Sequence, residues 1–131
     1  MRFRVTNIRP GYCEVWANER DGWRYQKLAL VVRDEGMWSW HAKEHEPPFD
    51  MPFYTRAFKH RLACIIDCER TALLRQAQRA VDEGKGFSGI HYHCPCRAAL
   101  HDMQRSGLFS IVEMHEMRER MEASGPREVD A

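Results

Sequence analysis

The chain has 131 residues, enough for one domain and a tight fit for two independent hydrophobic cores. Its hydrophobic fraction of 44% and aromatic fraction of 11% exclude an intrinsically disordered chain. Lysine and arginine number 20 against 19 acidic residues, so the chain lacks the basic excess typical of nucleic-acid-binding proteins, in which phosphate contacts supply much of the affinity.

We expect neither export nor membrane insertion. The first twelve residues alternate charged and apolar side chains and lack the apolar core of a secretory signal. Charged residues interrupt every apolar run before it reaches the length of a membrane span. Five cysteines, four of them in two close pairs, fit reduced thiols better than a disulfide framework. The sequence therefore predicts a cytosolic protein.

The first forty residues predict an antiparallel β-meander. Phe3 and Val5 alternate with charged neighbours, and a second alternating run follows the turn at residues 10–11. Further turns are predicted at residues 21–22 and 34–36, where glycine follows acidic residues. Three apolar side chains of the third run share one strand face, which we predict to be the core face: Leu28, Leu30 and Val32.

A proline-rich loop and a long helix are predicted next. Residues 43–54 contain three prolines, which neither continue a helix nor donate to a strand ladder, so we expect a loop that packs on the sheet. Residues 55–83 contain neither proline nor glycine, and their apolar side chains recur at helical spacing. They predict one helix, or two with a bend near residues 67–71, with Gly84 as the stop. The predicted apolar stripe includes Leu62, Leu73 and Ala80.

The rest of the chain predicts one more strand and two shorter helices. Residues 90–93 alternate like a strand, and Pro95 suits the first turn of a helix that stops at Gly107. Ser110 and Glu113 have the spacing of a capping box at the start of a last helix. Three methionines share one side of that helix: Met114, Met117 and Met121.

These elements together predict an α+β fold. An N-terminal antiparallel β-meander of four or five strands carries the long helix on one face, and one or two shorter helices follow at the C-terminus. We expect a single compact domain over residues 1–124 and a flexible tail over residues 125–131.

The densest group of potential metal ligands is His91, His93, Cys94 and Cys96, at the predicted corner between strand and helix. Thiolates and imidazoles are ligands that zinc prefers, although this C-x-C spacing is tighter than the usual C-x2–4-C pair. A thiol in the first turn of a helix also feels the positive end of the helix dipole, which lowers its pKa. The corner therefore predicts a zinc site or a reactive thiolate, with buried, inert cysteines as the alternative.

The predicted helix over residues 55–80 is rich in basic side chains. Arg61, Arg75 and Arg79 fall within a narrow arc at 100° per residue. Such a ridge indicates contact with the phosphates of a nucleic acid, and an ordinary solvated helix face is the alternative.

Aromatic residues concentrate in the meander and the loop after it. All four tryptophans lie in the meander, and a sheet covered by helices on one face would leave some of these rings exposed. Large exposed aromatic side chains commonly anchor protein interfaces. The predicted partner-binding residues are Trp16, Trp23, Trp38, Trp40, Phe49 and Phe53.

Sequence motifs of enzymes, such as a P-loop, a dinucleotide fingerprint or a nucleophile elbow, are absent, which lowers the expectation of catalysis. The leading hypothesis is a small protein-binding module of the inhibitor or adaptor type, which uses the aromatic sheet surface or the C-terminal helix. Small inhibitors and adaptors of phages and mobile elements commonly have this size and layout. Homodimerisation through the same surface is a further expectation.

Overall fold

The computed structural model describes residues 1–18, 24–42, 57–88 and 93–125. Within them an antiparallel meander of four strands precedes three helices, which confirms the predicted α+β fold. The predicted turn at residues 21–22 and the predicted loop at 43–54 lie outside the described residues. Of the predicted strand at 90–93, only residue 93 is described. The elements in chain order are β1 (Arg2–Arg9), β2 (Tyr12–Asn18), β3 (Tyr25–Asp34), β4 (Met37–Ala42), α1 (Arg61–Asp82), α2 (Pro95–Ser106) and α3 (Ile111–Ala123).

The chain divides into two compact units, Met1–Ala72 and Leu73–Ala131, and the boundary falls inside α1. The first unit contains the sheet and the first half of α1. The second unit contains the remainder of α1 with α2 and α3. The single domain expected over residues 1–124 stays a prediction.

Each strand of the sheet pairs with its neighbours in sequence, in the order β1-β2-β3-β4. The tightest described connection is the hairpin between β3 and β4, where Asp34 pairs with Met37 across two residues. Both of these, Glu35 and Gly36, have positive φ angles, of 52° and 78°. Two-residue hairpins favour this conformation because its twist matches that of the flanking strands.

One face of the sheet forms the core of the first unit. Cys13, Val15 and Ala17 of β2 are buried on it and alternate along the strand with Glu14 and Trp16. The α1 side chains in the same core cluster are Cys64, Ile65, Cys68 and Ala72.

The predicted core face of β3 is wrong for two of its three residues. The pairing of β2 with β3 shifts register between Val15 and Trp16, which leaves Leu28 as an extra residue. This bulge turns both Leu28 and Ala29 into the core, and Val31 follows on the same side. Leu30 and Val32 therefore point to the opposite face of the sheet and are half-buried there.

The long helix begins later than its apolar pattern predicts. Phe58 is not helical, because it exchanges two backbone hydrogen bonds of 2.7 Å with Trp38 at the edge of β4. From Arg61 to Asp82 the helix is continuous, so of the two predicted alternatives, one helix or two, the structure has one over that range. Leu62 is 67% exposed, which contradicts its place in the predicted apolar stripe.

Each unit buries its own set of α1 side chains. Cys64 and Cys68 are buried in the first unit, whereas Leu73, Ala77 and Ala80 are buried in the second. The two cysteines lie off the predicted stripe, so within the first unit the buried part of the helix differs from the predicted one.

The second unit contains the predicted helix signals. Pro95 occupies the first turn of α2, and Gly107 ends that helix in the left-handed conformation, with φ 68°. The capping box of α3 is confirmed: the Ser110 hydroxyl accepts from the Glu113 N–H at 3.1 Å, and the Glu113 carboxylate accepts from the Ser110 N–H at 2.9 Å. Met117 and Met121 are buried, as the methionine stripe predicts.

None of the helices that the structure describes is both long enough and apolar enough to cross a membrane.

Candidate functional site

The face of the sheet opposite the core carries the most distinctive surface chemistry in the first unit. Directly paired residues of antiparallel strands point to the same side, so the strand register assigns its members. All of them are exposed or half-buried, apart from Asn18 at one end of β2. We call this surface the outer face; its main members are Arg2, Arg4, Arg9, Tyr12, Glu14, Trp16, Tyr25, Lys27, Leu30 and Val32.

Two arginines of β1 lie over tyrosine rings of the outer face. The Arg4 guanidinium is 4.2 Å from the centroid of the Tyr25 ring, and the Arg9 guanidinium is 3.9 Å from that of Tyr12. The ring face attracts the cation, and each such pair contributes about 0.5–1 kcal/mol at an exposed site. The stacking restricts both guanidinium groups, so their N–H donors are partly preorganised for an incoming acceptor.

Trp16 lies in the middle of the outer face. It pairs with Arg4 of β1 on one side and with Lys27 of β3 on the other. The Lys27 ammonium in turn lies 3.0 Å from a Glu14 carboxylate oxygen. The indole Nε1 of Trp16 is buried, and no residue that the structure describes accepts its hydrogen bond. An unsatisfied indole N–H is a donor that a bound molecule could use.

Two other predicted partner-binding aromatics, Trp38 and Trp40, do not belong to the outer face. Trp40 is only 1% exposed and donates a 2.8 Å hydrogen bond to Asp67, so its assignment to a partner-binding surface is corrected to a core residue. Trp38 is half-buried and packs against the same core, because it lies two residues before Trp40 on one strand face. The remaining three, Trp23, Phe49 and Phe53, lie outside the described residues.

The cysteine and histidine corner has the chemistry of buried thiols. Cys94 donates to the Gly86 carbonyl at 3.4 Å, and Cys96 donates to the Ala80 carbonyl at 3.6 Å. Burial is the main cause that raises the pKa of the Cys96 thiol, and the neighbouring Cys94 thiol raises it further. The direction is opposite to the lowered pKa expected from the helix dipole, because removal from water disfavours the charged thiolate.

The structure describes only part of the predicted zinc ligand set. His93 is exposed whereas Cys94 and Cys96 are buried, and His91 lies outside the described residues. Within residues 1–18, 24–42, 57–88 and 93–125, no group of three histidine, cysteine or acidic side chains is placed to hold a metal ion. The zinc site stays a prediction without support from these ranges.

The basic arc of α1 is only partly available to a ligand. Arg61 is half-buried and donates to the side-chain oxygen of Asn7 in β1. Arg75 is exposed, and Arg79 is half-buried. A nucleic-acid contact through these three residues stays a prediction, and Arg61 would have to leave Asn7 to take part in it.

The start of α3 is a second exposed apolar surface. Ile111 is 88% exposed and Val112 is 65% exposed, directly after the capping box. Side chains of this size that remain in water are compatible with a protein contact, although isolated exposed residues are common.

No protein-family model, no curated protein and no solved structure matches this chain.

The arginine and tyrosine pairs of the outer face did not emerge from the sequence. Arg4 and Tyr25 are distant in sequence, and the bulge at Leu28 sets the register that brings β3 to its place. The available signal was the alternation of Arg2 and Arg4 with apolar residues at a strand that begins the meander.

Proposed function

We propose that this chain is a small protein-binding module of the inhibitor or adaptor type, and that it binds its partner through the outer face. The observation that carries the proposal is the alignment of Trp16, Tyr12 and Tyr25 with stacked arginines on one side of the sheet. Tryptophan, tyrosine and arginine are the residue types most enriched among those that dominate binding energy at interfaces.

The rigidity of the outer face supports this function. Its aromatic side chains stand on paired strands rather than on loops, and stacking restrains Arg4 and Arg9. A surface that is already ordered loses little conformational entropy when a partner binds, which leaves more of the contact energy for affinity.

A cytosolic location belongs to the same proposal. All five cysteines are unpaired and buried, which suits a compartment that keeps thiols reduced. Homodimerisation is the version of this proposal in which the partner is a second copy of the chain.

The C-terminal helix is the second candidate surface for the same function. Ile111, at 88%, is the most exposed large hydrophobic side chain in the described part of the chain, and its neighbour Val112, at 65%, is about as exposed as Leu62, at 67%. The two candidates lie on different elements, so separate substitutions distinguish them.

The test is affinity capture from the native cell with matched variants. Trp16→Ala is expected to abolish capture of the partner while the circular dichroism spectrum stays unchanged, because Trp16 is half-buried on a sheet face. Ile111→Ala should leave capture intact if the outer face is the site. Capture lost with Ile111→Ala and retained with Trp16→Ala would move the function to α3. Sedimentation of the purified protein tests the homodimer.

The other two hypotheses have their own tests. Stoichiometric zinc in untagged protein, lost on substitution of Cys94, would establish a metal site at the corner. Binding of nucleic acid whose affinity falls steeply with salt and depends on Arg75 and Arg79 would establish the basic helix as the active surface. Neither result is expected under the proposed function.

A further inference from the structure

Strand β1 is an exposed edge of the sheet. It stands at one end of the order β1-β2-β3-β4 and pairs with β2 alone in the described part of the chain. All of its residues are exposed except the half-buried Phe3, and exposure extends to the apolar side chains of Val5 (37%) and Ile8 (53%). Alternate residues of an edge strand direct backbone N–H and C=O groups away from their neighbour, which makes the edge a template for another strand.

The opposite edge of the sheet differs in this respect. Trp38 of β4 exchanges two backbone hydrogen bonds with Phe58, so part of that edge is already occupied. Among the described residues, β1 is therefore the edge with the longer run of residues that pair with a strand on one side only.

Charge and hydrophobicity alternate along β1. Arg2 and Arg4 belong to the outer face, whereas Phe3 and Val5 point to the core face, opposite Ala17 and Val15. A strand added beside β1 would place its own alternate side chains next to these two rows. Acidic residues would meet Arg2 directly and Arg4 once its guanidinium leaves the Tyr25 ring, and apolar residues would extend the row of Phe3 and Val5.

We propose that β1 binds an extended segment of a partner protein, in which acidic and apolar residues alternate, as a fifth strand of the sheet. This inference rests on the proposed protein-binding function and names the partner's chemistry. Backbone hydrogen bonds supply the pairing, and the arginines select the acidic residues.

Two other occupants fit the edge less well. Single-stranded nucleic acid binds by stacking bases on aromatic rings, but guanidinium groups already cover Tyr12 and Tyr25, and the Glu14 carboxylate lies on the same face. A second copy paired through β1 would bring arginines of both chains together on one side, and like charges on neighbouring strands are destabilising.

The test uses synthetic peptides and amide spectra of isotope-labelled protein. A capped eight-residue peptide that alternates glutamate and valine should shift the amide signals of β1 in a saturable manner. The same peptide with lysine in place of glutamate should bind at least about tenfold more weakly, because attraction becomes repulsion.

Backbone methylation separates strand addition from simple charge attraction. One peptide is N-methylated at every glutamate and a second at every valine. Because an edge strand pairs through every second residue only, one of the two should lose binding and the other should keep most of it. Equal binding of both methylated peptides would overturn the proposal.

A charge exchange tests the role of the arginines. In the double variant Arg2→Glu and Arg4→Glu, affinity for the glutamate peptide should fall by about tenfold or more. Affinity for the lysine peptide should rise by a similar factor. Arg105→Glu, at an exposed position of α2, is the matched control and should change neither affinity. Amide spectra of the variants without peptide show whether the sheet is intact. If the double variant does not fold, Arg4→Gln, which keeps a polar side chain, takes its place.

The outcomes also separate this inference from the proposed function. No binding of the glutamate peptide, or shifts away from β1, overturns the fifth-strand proposal. If Trp16→Ala still abolishes capture of a cellular partner in that case, the protein-binding function stands and only the edge mechanism falls. Tighter binding of an eight-residue oligothymidylate at the same amides would assign the face to nucleic acid instead and overturn the inference.

Discussion

The indole Nε1 of Trp40 donates a hydrogen bond of 2.8 Å to the Oδ2 atom of Asp67, which joins the last strand of the sheet to α1 inside the first unit. The ring is buried, while the carboxylate is half-buried on the helix. A hydrogen bond to a charged acceptor in such a position contributes more than a neutral one.

Trp40→Phe is therefore expected to lower the free energy of unfolding by about 3 kcal/mol, since it removes this hydrogen bond and leaves a cavity. Trp16→Phe is the matched control, because the Trp16 Nε1 has no acceptor among the described residues and its ring is half-buried. It should cost about 1 kcal/mol or less. Urea unfolding followed by circular dichroism measures both; equal losses would contradict the role of Asp67.

The buried thiols of the first unit predict a loss of stability in alkali. Burial is the main cause that raises the pKa of Cys64 from 9.0 to about 12, and the neighbouring carboxylate of Asp67 contributes to the rise. Burial also raises the pKa of Cys68. Between these values the unfolded chain loses thiol protons that the folded chain keeps. The free energy of unfolding should begin to fall as the pH approaches 9.0, and its slope above that value should approach about 1.4 kcal/mol per pH unit for each such thiol.

Cys64→Ala isolates this contribution from that of other groups that titrate in alkali. Between pH 9 and pH 10.5 the free energy of unfolding should fall less steeply in the variant than in the wild type. The difference in slope should approach about 1.4 kcal/mol per pH unit, the contribution of one proton. Urea unfolding at a series of pH values provides the measurement. Parallel curves for the two proteins would show that Cys64 ionises equally in both states.

The capping box of α3 predicts a local effect in the second unit. Ser110→Ala removes the hydroxyl that accepts from the Glu113 N–H, and should cost about 1 kcal/mol. Glu113→Gln keeps an oxygen that can accept from the Ser110 N–H and should cost less. Hydrogen exchange is the measurement: amides in the first turn of α3 should exchange faster in Ser110→Ala, while those of β2 stay protected. Unchanged exchange would contradict the capping role.

The sequence predicted those features that depend on neighbours along the chain. The alternating run after the turn at residues 10–11 gave the strand β2, and Ser110 with Glu113 gave the start of α3. Each of these signals is complete within one segment. A strand side or a helix cap follows from local geometry once the period or the capping residue is recognised.

Features that depend on register could not be predicted in this way. Residues 28–32 are apolar throughout, so both strand faces were compatible with burial, and the bulge at Leu28 decided between them. The same bulge determines which side of β3 faces Trp16. The stacking of Arg4 on Tyr25 depends on the resulting three-strand arrangement, and it defines the candidate site.

Gly86 shows the close approach of two backbone segments within the second unit. A Cβ at this position would lie 2.7 Å from the Cα of Gly125, and the residue also has a positive φ of 57°. Gly107 shares the left-handed conformation, with φ 68°, but a Cβ there would meet nothing within 4 Å. The two glycines therefore separate steric overlap from conformational preference.

Gly86→Ala is expected to destabilise the protein by about 3 kcal/mol, because backbone atoms have to move apart in addition to the cost of the left-handed conformation. Gly107→Ala carries the conformational cost alone and should lose about 1 kcal/mol. Thermal unfolding of the two variants measures the difference between them. Since backbone cannot rotate away as a flexible side chain does, similar losses would mean that the segments at Gly86 and Gly125 are not in contact in solution.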